Sequence, residues 1–188
     1  MRKIEIFNPN TSPKEMFEEG IMGGSYFGPN AGPESKMDRT IEVFFRGMDK
    51  DLYMASTYRP KRNKFKVRSG MPYSYWKKMN WFSERDPYGW IEWYIKFTMG
   101  LRSDDDQRQI SRWQDFCGEN GRWRKIIYRK IYEANDFNAS PRIQQSLLHW
   151  GYRVNQEDFD KWCYDTNHKF KEIEWCHYGG LPSPLAYE

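Results

Sequence analysis

The sequence predicts an α+β protein, with a small N-terminal antiparallel sheet and a dominant C-terminal helical cluster. Apolar and charged residues alternate before residue 70, whereas aromatic residues recur at helical spacing after it. Aromatic residues make up 18% of the chain and hydrophobic residues only 38%. We therefore expect a core of aromatic rings, each removing about 150–250 Å² from water. One domain is expected over residues 1–188, with a strand-rich part (1–70), a helical part (71–178) and a tail (179–188).

Short alternating segments predict the strands of the N-terminal part. Three of the four segments place apolar side chains at every second position, which is typical of a strand with one buried face; 51–58 is predicted as the pairing partner of 41–45. Two of them are expected to pair as a hairpin around residues 47–49. A short helix opens at Ser12 and Pro13, where Glu15 completes a capping box, and it ends at Gly20. The predicted strands are 1–7, 41–45, 51–58 and 63–68.

The glycine-rich stretch 21–33 raises the question of a phosphate-binding loop. It contains neither a Gly-Lys-Ser/Thr sequence nor the G-x-G-x-x-G pattern that such loops need. We interpret it as an ordinary turn.

Six helices are predicted in the C-terminal part. Ser140 with Pro141 repeats the start signal of the first helix, and three consecutive aspartates suit the positive end of another helix dipole. The helix that contains Trp90 and Trp93 carries a wide aromatic stripe. The predicted helices span 74–80, 86–100, 103–117, 122–134, 140–151 and a segment that begins near Asn155.

Charge, hydropathy and cysteine usage predict a protein that neither spans a membrane nor is secreted. No apolar run approaches the ~18 residues that a membrane span requires. Residues 1–7 are too few and too charged for a secretory signal. Three cysteines suggest reduced thiols rather than a disulfide framework. We therefore expect a cytoplasmic protein without a membrane partner.

Two basic segments predict contacts with a polyanion. Six of the ten residues from Arg59 to Arg68 are cationic, and a second basic run starts at Arg122. Clustered Lys and Arg neutralise phosphates and release counterions, and aromatic residues between them can stack on exposed bases. The alternative interpretation is a pair of solvated surfaces. The predicted nucleic-acid contacts are Arg59, Lys61, Arg62, Lys64, Lys66, Arg68, Arg122, Arg124 and Lys125.

A polar cluster near the start of the third C-terminal helix predicts a different kind of site. Beside tryptophans, it could form the pocket of a small enzyme that acts on a nucleotide or modified base. Its carboxylates could also hold a divalent cation, but compensation of the helix dipole is the favoured interpretation. The predicted pocket residues are Trp90, Trp93, Asp104, Asp106, Arg108, Gln109, Arg112 and Trp113.

The thiols and imidazoles predict no metal site and no cofactor. Cys163, His168, Cys176 and His177 are zinc-ligand types, but their spacing C-x₄-H-x₇-C-H matches no usual structural site. Cys117 lies on an apolar helix face without a nearby histidine in sequence, so we predict a core position for it.

Five phrases carry a resemblance that spans most of the chain in order. They are SPKEM (12–16), GGSYF (23–27), GWIEWY (89–94), DQRQISRW (106–113) and SPRIQQSLLHW (140–150). Together they resemble a family of small proteins from bacteriophages and large DNA viruses that has no established activity. The resemblance implies a viral or viral-like origin, hence the cytoplasm of a host cell, and it implies no catalytic residue.

Three functional hypotheses follow. The leading one is a non-enzymatic nucleic-acid-associated binding protein whose partner is DNA or RNA. The second is the small enzyme described above. The third is a structural or host-factor interaction protein, such as a virion component, marked by a large exposed aromatic patch or a symmetric dimer face.

Overall fold

The computed structural model describes residues 7–33, 37–79, 81 and 83–173. Within these ranges the chain forms eight α-helices and two 3-10 helices, and it contains no β-strand. The α-helices are α1 (Pro13–Glu18), α2 (Arg39–Phe44), α3 (Tyr73–Lys78), α4 (Trp90–Thr98), α5 (Asp106–Cys117), α6 (Arg122–Ala134), α7 (Pro141–Leu148) and α8 (Gln156–Asp165). The 3-10 helices are Lys50–Leu52 and Pro60–Arg62.

The predicted α+β class and its N-terminal sheet are therefore wrong for the described part of the chain. Residues 41–45 overlap α2, residues 51–58 form a short 3-10 turn and a loop, and residues 63–68 form another loop. Of the first predicted strand, 1–7, only Phe7 lies within the described residues.

The side-chain period explains the error at α2. A strand over 41–45 would bury Ile41, Val43 and Phe45 together. Instead Ile41 and Phe45 are buried, while Val43 is 41% exposed. The spacing of four between the two buried residues is helical. Asp38 caps the helix by accepting a hydrogen bond from the Thr40 amide at 2.7 Å.

The segment 51–58 bonds to the glycine-rich stretch without forming a regular ladder. The Ala55 amide donates to the Gly24 carbonyl at 2.8 Å, and the Phe27 amide donates to the Tyr53 carbonyl at 2.8 Å. The turn at 21–33 thus supplies the backbone hydrogen-bond partners that 51–58 was predicted to find in the strand 41–45.

Two buried side chains, those of Asn63 and Gln145, replace the strand partner of residues 63–68. The Asn63 carboxamide donates to the Val67 carbonyl at 2.6 Å and accepts from the Val67 amide at 3.2 Å. The Phe65 amide donates to the Gln145 side chain at 3.4 Å. These bonds close a loop whose backbone groups need no neighbouring strand.

The predicted helices were placed well, although their start signals differ in outcome. The capping box of Ser12 and Glu15 is present, and Asn155 caps α8. Ser140 forms no side-chain cap bond and has a positive φ of 54°. Helix α4 begins after Gly89 rather than at the Asp-Pro pair of 86–87.

Helix α4 lies at the centre of an aromatic core, and all its residues from Trp90 to Ile95 are buried. It packs against α1 and α2, whereas α6 packs against α5, α7 and α8. The Phe7 ring lies 5.3 Å from the Trp113 ring. The Trp113 indole donates to the Trp150 carbonyl at 2.8 Å, which satisfies a fully buried N–H group.

Candidate nucleic-acid interface

The first basic segment loses two of its predicted contacts to a carboxylate of the fold. Asp51 accepts hydrogen bonds from Arg59, at 2.8 Å, and from Arg62. The Arg62 guanidinium also donates to the Asp51 backbone carbonyl at 3.0 Å. The hydrogen bond from Arg59 is the largest cause of the lowered pKa of Asp51. Both arginines therefore anchor the 3-10 helix Pro60–Arg62 to the preceding turn.

Arg124 is a structural cation rather than a surface contact. It is 8% exposed and forms an ion pair with Asp158 between α6 and α8. The Tyr152 hydroxyl donates to the same carboxylate at 2.6 Å, and Asn155 donates to it at 2.8 Å. The guanidinium lies 4.6 Å from the Tyr152 ring. Asp158, whose side chain is 25% exposed, thus receives hydrogen bonds or an ion pair from three residues, which offsets the cost of its partial burial.

Other predicted cations of the first segment remain at the surface. Lys61, Lys66 and Arg68 are exposed, and no described carboxylate forms an ion pair with any of them. Lys64 is half-buried. Burial lowers its pKa, and the positive charge of Arg153 lowers it further.

Helix α3 adds cations and rings directly after this segment. Lys77 and Lys78 in its last turn are exposed and form no ion pair within the described ranges. Trp81 is 53% exposed, and its ring lies 5.6 Å from that of Tyr75. Phe65 is an aromatic residue between the cations of the first segment, but it is only 8% exposed and offers no face for stacking. The exposure of Trp81 could have been predicted from the sequence, because Trp81 belongs to no apolar stripe of a predicted helix.

The second basic segment lies on helix α6, which buries Arg124 and leaves the cations on either side of it exposed. Arg122 and Lys125 are exposed, and the Arg122 guanidinium lies 5.4 Å from the Trp123 ring. The neighbouring cavity described below is lined by more carboxylates than cations, which weakens the positive field on this side.

The tryptophans of the predicted pocket belong to the core. Trp90, Trp93 and Trp113 are all buried. The Trp93 indole donates to Asp106 at 2.9 Å, and Ser103 donates to the same carboxylate at 2.9 Å. Burial opposes ionisation of Asp106, but these hydrogen bonds outweigh it and lower the pKa.

The charged members of the predicted pocket pair with one another or face solvent. Arg108 and Gln109 both donate to Asp105, and Arg112 donates to Gln109 at 2.9 Å. The Asp104 side chain is 84% exposed and pairs with Arg85. These charged side chains are therefore occupied by one another near the start of α5 and do not converge on a concave site; compensation of the helix dipole stays a prediction.

Two cavities lie away from the predicted pocket. The smaller, of about 160 Å³, lies between α3 and the turns at 25–33 and 87–88. The larger, of about 780 Å³, is polar and lies between α5, α6 and the start of α8. Its charged lining consists of Asp115, Glu119, Arg124, Glu157, Asp158 and Lys161.

The two thiols that the structure describes are core residues, as predicted for Cys117. Cys117 and Cys163 are buried, and burial raises the pKa of each thiol. Among the described residues, no three His, Cys, Asp or Glu side chains lie together as metal ligands would. Cys176 and His177 lie outside the described residues, and His168 is exposed.

No helix in the described ranges is both long enough and apolar enough to cross a bilayer. The family resemblance of the five sequence phrases stays a prediction. Comparison of the chain with protein-family models, with curated proteins and with solved structures gave no match.

Proposed function

We propose that the protein binds single-stranded nucleic acid through the exposed cations and aromatic rings of residues 61–81. The observation that carries the proposal is an acid-free stretch. Residues 52–83 contain eight Lys and Arg residues and no Asp or Glu. Because the whole chain has a net charge of +4, the remainder carries a net charge of −4. Such asymmetry concentrates the attraction for a polyanion on one stretch.

The fold leaves most of this positive charge accessible. Only Arg59 and Arg62 of the eight cations form ion pairs with a described carboxylate. The five that are exposed and unpaired in the described ranges are Lys61, Lys66, Arg68, Lys77 and Lys78. Each such cation can neutralise a phosphate and release a condensed counterion.

Exposed rings favour a single strand over a duplex. Trp81 is 53% exposed beside Tyr75, and an indole at the surface has a free face for stacking. Stacking on one base contributes about 1–3 kcal/mol and is open only to unpaired bases. Cations and rings on one continuous stretch are the combination that binds single strands without a sequence preference.

Charge reversal tests the proposal. Binding of a fluorescent oligothymidylate or oligouridylate is measured by anisotropy at about 50 mM salt, where phosphate contacts are strong. We expect K77E/K78E and K61E/K66E/R68E each to weaken binding by about tenfold or more. The matched control for the double variant is R122E/K125E, which changes the net charge equally on exposed positions of α6.

The control is expected to retain affinity within about threefold, because long-range charge effects are screened within ~10 Å at moderate salt. Equal losses in K77E/K78E and R122E/K125E would show attraction by net charge alone. Absence of binding by the wild-type protein would leave the structural or host-factor hypothesis, for which the exposed apolar residues Met71, Met79 and Trp81 are the starting point.

A further inference from the structure

The smaller cavity has aromatic walls and no charge. Helix α3 contributes Tyr73 and Trp76, and the facing turns contribute Tyr26 and Tyr88. The remaining described lining is Ser25, Ala31, Met71 and three prolines, so no described lining residue is ionisable in the physiological range. Flat apolar walls of this kind suit a planar ring system.

Two glycines fix the α3 rings in place. Gly32 has a φ of +119°, and a Cβ there would lie 2.3 Å from the Tyr73 ring. Gly89 has a φ of +78°, and a Cβ there would lie 2.5 Å from the Trp76 ring. Each ring therefore approaches a backbone that only glycine can provide. On the opposite side, the Tyr26 hydroxyl donates to the Tyr88 carbonyl at 2.7 Å. The cavity is thus formed by held side chains.

The volume limits the occupant. A volume of about 160 Å³ is well below the ~300–1,000 Å³ of sites that enclose drug-sized ligands. One ring system fits, whereas a sugar and phosphate attached to it must stay outside. An attached phosphate would then meet the surface of α3.

The surface of α3 carries the matching charge. Tyr73, Trp76 and Lys77 share one helix face, because they are separated by three and four residues. The Lys77 ammonium therefore belongs to the face that forms the cavity wall, and it has no carboxylate partner in the described ranges. Ser25 also lines the cavity, and a serine hydroxyl can donate to or accept from the edge of a base.

We propose that this cavity takes one unstacked nucleobase of the bound strand, while Lys77 contacts the phosphate outside. The inference rests on the proposed function and deepens it, because it separates base recognition in the cavity from phosphate attraction along residues 61–81. Bases held in this way are turned out of their stack and enclosed by aromatic side chains.

The test compares two probes of equal charge. A thymidylate tetramer is titrated against a tetramer of the same backbone that carries no bases. The wild-type protein is expected to bind the base-bearing probe about tenfold more tightly or better, as enclosure of one base by aromatic rings predicts. The variant A31M fills the cavity from a half-buried lining position and is expected to reduce this preference to about threefold or less.

Two further variants keep the test decisive. W76L removes one wall and is expected to reduce the preference as A31M does, so the result stands if either variant folds by circular dichroism. K77E/K78E is expected to weaken binding of both probes equally. Equal binding of the two probes by the wild-type protein would overturn the inference and the stacking on Trp81, and would leave only the phosphate contacts of the proposed function standing.

A preference that survives A31M but disappears in W81A would place the base on the exposed indole, which also overturns the inference. Failure of the wild-type protein to bind either probe would overturn the inference and, if the longer oligothymidylate also fails to bind at low salt, the proposed function as well.

Discussion

Asp51 holds both Arg59 and Arg62, so one carboxylate neutralises two of the cations that the sequence assigns to nucleic acid. The nearest other Asp or Glu in the direction of the C-terminus is Glu84. Asp51 therefore stands at the start of the acid-free stretch, and most of the other cations of that stretch form no ion pair with a carboxylate among the described residues.

Removal of this carboxylate is expected to strengthen binding. D51A frees two guanidinium groups and raises the net charge by one, so affinity for oligothymidylate at low salt should rise about three- to tenfold. The matched control is E42A, which removes an exposed carboxylate of α2 that forms no ion pair among the described residues. Equal affinity in D51A and E42A would show that the freed arginines do not reach the nucleic acid.

Arg124 is expected to matter for stability and not for binding. R124A leaves Asp158 without its cation, so the free energy of unfolding should fall by about 3 kcal/mol. This value is at the low end of the range for a broken buried ion pair, because Asp158 is partly exposed. Urea denaturation gives this value, and anisotropy should give an unchanged affinity for the folded variant. If R124A folds but binds tenfold more weakly, Arg124 contacts the nucleic acid and this prediction is wrong.

Asn63 is expected to stabilise the loop that presents Lys66 and Arg68. N63A leaves the amide and carbonyl of Val67 without partners, and loss of about 2–3 kcal/mol is expected from two unsatisfied backbone groups. N30A is the control, since its amide bonds the Ser56 carbonyl at an exposed position and its loss should cost less than about 1 kcal/mol. Similar losses in the two variants, measured by urea denaturation, would contradict this role.

His149 is expected to make stability depend on pH. Burial lowers the pKa of His149 to about 4, while its Nε2 lies 3.0 Å from the Ile21 carbonyl. At pH values between the folded-state pKa of about 4 and the ordinary histidine pKa near 6.5, His149 is protonated in the unfolded chain but not in the folded chain. Stability from this group is therefore complete above pH 6.5 and is lost as the pH falls towards 4.

The expected loss is about 1–3 kcal/mol over this interval. H149Q, which can still donate to the Ile21 carbonyl, should show a flatter profile in urea denaturation at a series of pH values. Parallel profiles for the two proteins would assign the acid dependence to other groups.

The helical part of the fold could be predicted because its signals are local. The capping box at Ser12 and the cap at Asn155 act within three residues, and both are present. The strands failed because five-residue alternation does not separate a strand from a short helix, as the burial of Ile41 and Phe45 shows. Asn63 closes its loop through a side chain, and no hydrophobic period predicts such a bond.

The burial of Arg124 did have a signal. It lies three, four and seven residues before Ile127, Tyr128 and Ile131, which form the buried stripe of α6. A cation within such a stripe indicates a buried pair rather than a solvated contact. The pairing of Asp51 with two arginines had no comparable signal, because loops carry no period that relates residue 51 to residues 59 and 62.

The salt dependence of binding tests the central claim most directly. Affinity of the wild-type protein for oligothymidylate is measured from about 50 to 200 mM salt, and the logarithm of the binding constant is plotted against that of the salt concentration. Five exposed cations predict a slope between about −2 and −3.5, since each phosphate contact in a single strand contributes about −0.7. K77E/K78E should reduce the slope by about 1.4. A slope near zero, or no binding at the lowest salt concentration, would contradict the assignment of residues 61–81 to a polyanion.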